Sequence, residues 1–117
     1  MKIVKIILSK EAKEVYDYLN KMSLESKQER MILKAINYKF ELIKNNFQYG
    51  DAVAKNLIPE EYSLKYGATN LFRVELPAFW RMIYTLNESN NQVDIIAFVL
   101  DIIDHPTYNN KFGYRKN

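Results

Sequence analysis

At 117 residues, 48% hydrophobic and 26% charged, the chain has the balance of one globular domain: too short for two ordinary cores and too apolar for wholesale disorder. Lys and Arg outnumber Asp and Glu by 17 to 14, a formal charge of +3 that favours a polyanionic partner without demanding one. The absence of cysteine excludes disulfides, thiol catalysis and a cysteine-built zinc site, and no run approaches the roughly 18 apolar residues of a membrane helix. The expectation is a single domain over residues 1–117, soluble and cytoplasmic, with no membrane association.

The opening Met1 to Ser9 has a short apolar run, but Lys5 interrupts it and no small-residue cleavage site follows, so it reads as a strand rather than a signal peptide. Val4 to Leu8 is rich in β-branched residues and ends at Ser9, a suitable helix N-cap. From Lys10 to about Met22, Ala12, Val15, Tyr16, Leu19 and Met22 recur at three- and four-residue spacing, which predicts an amphipathic helix. Ser26-Lys27-Gln28-Glu29 has the form of a capping box and should start a second helix. Its stripe runs through Ile32 or Leu33, Ile36, Phe40, Ile43 and Phe47, with Asn45, Asn46 and Gly50 as the stop. Two helices so closely spaced should form an antiparallel hairpin.

Asp51 to Asn70 lacks periodicity and reads as a loop with one short helical turn around Glu60 to Leu64. Three strands follow. In Leu71 to Leu76 the apolar Phe72, Val74 and Leu76 alternate with Arg73 and Glu75, and Pro77 ends the strand. In Trp80 to Leu86, Met82, Tyr84 and Leu86 alternate with Arg81, Ile83 and Thr85, and Asn87 to Asn91 should turn the chain. Val93 to Asp101 is apolar on both parities from Ile95 to Leu100, the pattern of a central strand covered on both faces. The order predicts an α+β domain: an N-terminal strand, a two-helix hairpin, then a three-strand antiparallel meander packed on the helices.

Strand parity puts Arg73 and Arg81 on the face away from the helices, with Glu75 beside them, while His105 and Tyr108 follow the central strand. Such a set suits RNA cleavage by internal transfer, which needs a base near the 2′-hydroxyl, positive charge on the phosphate and an acid for the leaving oxygen. No metal or cofactor is required. Arginine offers directional donors to phosphate, histidine exchanges protons near neutral pH, and tyrosine stacks on a base or gives a proton. Glu75 serves as the base if its surroundings make it one. The final segment holds Lys111, Tyr114, Arg115 and Lys116 and no acid after Asn109, a small positive patch for RNA. Each signal also has a plain reading: a lone histidine before a proline is commonly a cap or turn residue, Arg73 and Glu75 an exposed strand pair, the basic tail a solvated end, and most tyrosines core.

From about Gly50 onward the chain resembles the RelE/ParE superfamily of bacterial and archaeal toxins. Those domains end in a strand with a "YR-x-x-Y" type motif, a hairpin, an apolar strand, and a basic residue or histidine shortly before a tyrosine. The corresponding residues here are Trp80-Arg81-Met82-Ile83-Tyr84, Asn87 to Asn91, Val93 to Leu100, and His105 with Tyr108. The preceding strand and helical hairpin agree with the same order. The resemblance implies a toxin of a type II toxin-antitoxin system: in RelE-like members an endoribonuclease that cuts messenger RNA on the ribosome, in ParE-like members an inhibitor of gyrase, either one held by an antitoxin protein. It implies phosphate binding by Arg81 and Arg73, and proton transfer or base stacking by His105 and Tyr108, with Tyr114 a second candidate. Glu75 departs from the pattern, standing where lysine-rich members have a second cation, as do the longer second helix and the Asp51 to Tyr66 insertion. A ParE-like gyrase-inhibiting toxin, or a non-catalytic RNA-binding module on the same fold, is the alternative.

Overall fold

A computed structural model describes residues 2–89 and 94–113. The first strand, β1 (Ile3–Leu8), runs into α1 (Lys10–Met22) through Ser9, whose buried hydroxyl accepts from the Ala12 amide at 3.0 Å and donates to the Leu100 carbonyl at 2.7 Å. One residue therefore caps a helix and ties it to the central strand. The second helix, α2 (Lys27–Asn45), starts at Ser26 as expected, but by a different bond: the Ser26 hydroxyl donates to the Glu29 carboxylate and makes no side-chain cap to the backbone. The two helices form the hairpin expected from their stripes, and Ala12, Leu19, Ile32, Ile36 and Ile43 are buried in the core.

The segment read as a loop carries more structure than its composition signalled. It holds a two-residue strand, β2 (Asp51–Ala52), a 3₁₀ turn (Lys55–Leu57) and a seven-residue helix, α3 (Glu60–Tyr66), ended by Gly67 in the left-handed region at φ 65°. The three strands follow as β3 (Phe72–Leu76), β4 (Trp80–Glu88) and β5 (Asp94–Ile103). Asn87 belongs to β4, paired with Ile96, instead of opening the turn expected there; positions 90 and 91 lie outside the described residues. Beyond β5 the chain forms a further helix, α4 (His105–Lys111), where no element was expected.

The five strands make one sheet in the order β1-β5-β4-β3-β2. The pairs from β2 to β5 are antiparallel, and β1 lies parallel to β5. The architecture is α+β. Phe72, Val74, Leu76, Met82 and Tyr84 pack under the helical hairpin, on the face assigned by alternation. The other face is covered too: Leu71, Ile83, Leu100 and Ile103 pack with Tyr62 of α3 and Tyr108 of α4. Two apolar faces on β5 thus match its unbroken apolar run.

A bulge reorganises the middle of the sheet. Ile83 pairs with Asp101 but its neighbour Tyr84 pairs with Val99, so Leu100 is an extra residue on β5. Val99 and Asp101, two apart, consequently lie on opposite faces. This delivers Asp101 to the layer containing α3 and α4, where its carboxylate accepts from the Tyr62 hydroxyl at 2.7 Å.

The buried Tyr84 fixes the connection between α2 and β2. Its hydroxyl accepts from the Gly50 amide at 2.9 Å and donates to the Phe47 carbonyl at 2.8 Å. The backbone at Gly50 comes so close that a Cβ there would lie 3.0 Å from the Tyr84 ring and 3.1 Å from the Arg73 carbonyl oxygen. Gly50→Ala is expected to cost about 1–3 kcal/mol by overpacking, read as a lower midpoint in urea with an unchanged slope.

Burial pushes the Tyr84 hydroxyl up to about 12 from an ordinary 10.0. The folded chain keeps a proton that the unfolded chain releases, so stability should fall as pH rises from about 10 to 12. Tyr62 is shifted in the same direction, by its burial and by its bond to Asp101. Thermal melts between pH 9 and 12 check this, and Tyr84→Phe should flatten the decline.

Candidate phosphate-binding site

The β3–β4 register places Glu75 opposite Arg81 and Arg73 opposite Ile83, so both arginines rise from the face away from the helical hairpin. Trp80 to Leu76 closes the ladder, and the short Pro77–Phe79 link holds Ala78 and Phe79 at φ 59° and 62°, a tight return that L-residues rarely adopt. The strands thus fix the two cations relative to one another. What lies over them is α4. Asp104 caps this helix, its carboxylate accepting from the Thr107 amide at 3.0 Å, and the bonds from Thr107 hold that carboxyl below the usual range.

The first turns of α4 bring Tyr108 down between the arginines. Its oxygen accepts from an Arg73 terminal nitrogen at 3.1 Å, and the guanidinium carbons of Arg73 and Arg81 stand 5.9 and 5.4 Å from its ring centroid. The ring is 3% exposed and stacks on Phe112 at 4.3 Å. Tyr108 is therefore a largely buried wedge that orients two cations.

Arg73 is 31% and Arg81 14% exposed, yet the Nε atom of each is buried without a hydrogen-bond partner. Each of these donors forgoes a bond to water and is compensated only when an acceptor reaches it. Acid partners are present but distant: Asp51 lies 3.6 Å from Arg73, and Glu75 4.0 Å from Arg81, both carboxylates being largely solvent-exposed. Arg81 also donates to the Trp80 carbonyl at 3.3 Å. The hydrogen bond to Tyr108, then the charge of Asp51, hold Arg73 more firmly charged than an isolated arginine. The result is a pair of oriented guanidinium groups with loosely held counter-ions, which an incoming phosphate can replace.

His105 sits at the exposed start of α4. Its ring faces Phe79 at 6.1 Å between centroids and its Nε2 is 3.2 Å from the Asn109 amide nitrogen, so its contacts are to the rim of the site rather than to the arginines. Glu75 stays beside Arg81 as parity implied. Lys111 turns the other way. Its ammonium pairs with Glu61 at 2.8 Å and Asp101 at 3.7 Å and lies 5.8 Å from the Tyr62 ring centroid, so it docks α4 onto α3 and is not a free cation for RNA. Tyr114, Arg115 and Lys116 lie outside the described residues.

Burial raises the Asp101 carboxyl, and the Tyr62 hydroxyl and Lys111 partly offset that. Burial also works against the charge on Lys111, but Glu61 and Asp101 more than compensate and its shift is upward. Lys111→Ala leaves Asp101 without its cation and should cost on the order of 2 kcal/mol, below the 3–5 kcal/mol of a fully buried pair. Hydrogen exchange should report the loss first in α4.

Sequence reasoning overlooked four side chains at this site. Asp51 reaches Arg73 through the two-residue β2, Phe112 backs Tyr108, and Tyr49 lines an adjoining cleft with Lys39. No helix among the described residues is long and apolar enough to cross a membrane. No family model, curated protein or solved structure matches the chain, so the geometry has to carry the functional reading.

Proposed function

We propose that the chain is a RelE-type endoribonuclease, the toxin of a type II toxin-antitoxin pair, acting on messenger RNA at the ribosome and held by an antitoxin protein. The observation that supports this reading is the pairing of Arg73 and Arg81 around Tyr108, each with only a distant, exposed acid partner. The element order of strand, helical hairpin and meander is in keeping with it.

In this reading the two guanidinium groups receive a phosphodiester. The 2′-oxygen of the preceding ribose attacks phosphorus and the 5′-oxygen of the next nucleotide leaves, giving a 2′,3′-cyclic phosphate and a 5′-hydroxyl end. Arginine charge is worth most as the phosphate becomes pentacoordinate, because it is fixed before the reaction and partly shielded from water. Glu75 and His105 are both exposed, so the proton exchanges at the attacking and leaving oxygens fall to them, while Tyr108 positions the arginines. Growth arrest on expression in a bacterial host, relieved by Arg81→Ala, is the expected result; arrest that persists unchanged in Arg81→Ala contradicts the reading.

The contacts of His105 with Phe79 and Asn109 favour a second reading, a non-catalytic RNA-binding module on this fold. It predicts RNA binding that depends on Arg73 and Arg81 with the message left intact.

A further inference from the structure

Two clefts meet at Arg73. One, of about 290 Å³, is lined by Val53, Leu57, Tyr108 and Phe112 together with Asp51 and Arg73. The other, of about 270 Å³, is also lined by Arg73, with Tyr49, Lys39, Asp51 and Glu75. Each falls just under the range of about 300–1,000 Å³ typical of sites for drug-sized ligands, so each suits a fragment of nucleobase size. Two such clefts that share a cation suit successive nucleotides flanking a phosphate. The first is largely apolar, and the second is edged by two cations and two carboxylates.

The second cleft has a prepared wall. The Lys39 ammonium donates to the Tyr49 hydroxyl at 2.9 Å and lies 5.3 Å from the ring centroid. The Tyr49 amide donates to the Asn46 carbonyl at 2.9 Å, and the next residue, Gly50, is bound to the buried Tyr84 hydroxyl. The ring is 36% exposed, enough to offer surface to a planar group. A base can stack there whatever its identity, because every base has a π-face.

We propose that the Tyr49–Lys39 cleft is a subsite for the nucleotide adjoining the phosphate held by Arg73, in single-stranded RNA. Tyr49 stacks on the base, Lys39 contacts the neighbouring phosphate, and the Asp51 and Glu75 carboxylates accept from amino or hydroxyl groups of the base and ribose. This inference rests on the RNA reading of the arginine pair, and the test separates the two.

A fluorescein-labelled RNA octamer of mixed sequence is titrated with the full chain by anisotropy, and the same samples are run on a denaturing gel. Tyr49→Ala should weaken binding about ten-fold while Tyr49→Phe stays near the parent. Lys39→Gln should lower the log–log salt slope by about 0.7, the loss of one phosphate contact on a single strand. If Tyr49→Ala and Lys39→Gln, folded by circular dichroism, bind within two-fold of the parent, or the parent does not bind the octamer, the subsite is overturned. A Tyr49→Ala binding defect, with message left intact when the parent chain is given ribosomes, keeps the subsite and counts against the ribonuclease. Cut RNA with no defect does the reverse.

Discussion

Arg81→Ala should lower RNA cleavage by about 10²–10³-fold, the loss typical of removing one fixed donor from a developing oxyanion. Stability should change far less. Arg81 is mostly buried but has an unsatisfied Nε and only a distant acid partner, so its removal relieves one cost while forfeiting packing. Arg81→Lys keeps the charge and loses the planar fork, and so should recover only a minor part of the activity. Initial rates of cleavage, with melting temperatures on the same samples, separate a catalytic defect from a folded-fraction defect.

The second large effect falls on Tyr108. Tyr108→Ala removes a buried aromatic that stacks on Phe112 and lies between two guanidinium groups, and should cost about 3–5 kcal/mol. Tyr108→Phe keeps the ring and loses the acceptor for Arg73, at a cost nearer 1–2 kcal/mol. If Tyr108 positions the arginines, Tyr108→Phe retains cleavage within about ten-fold and leaves the pH profile in place. If it were the proton donor, that variant would be as inactive as Arg81→Ala. The buried ring and its bond to Arg73 argue for the first outcome.

Much of the fold was readable because the relevant signals are local. The stripes of the two long helices, the cap at Ser9 and the alternation of Phe72, Val74 and Leu76 with Arg73 and Glu75 each depend on residues a few positions apart. The arginine pair follows from that alternation alone. The missing features are those whose cause lies at a distance. Two-residue β2 has no periodicity and exists because Asp51 and Ala52 meet Arg73 and Phe72. The bulge at Leu100 cannot be seen in an unbroken apolar run, yet it sends Asp101 to α3 and α4. Asp104 and Pro106 suit a helix start, but the seven residues of α4 carry too short a stripe to announce a helix. Lys111 looked like a tail cation because its acids, Glu61 and Asp101, belong to other elements.

The most direct test of the central claim is to incubate the purified chain with messenger RNA and intact ribosomes and to map the ends of the products. The arginine-pair account predicts 2′,3′-cyclic phosphate and 5′-hydroxyl ends, absent when Arg81→Ala replaces the parent. Intact message with the parent, or equal cutting by Arg81→Ala, contradicts it.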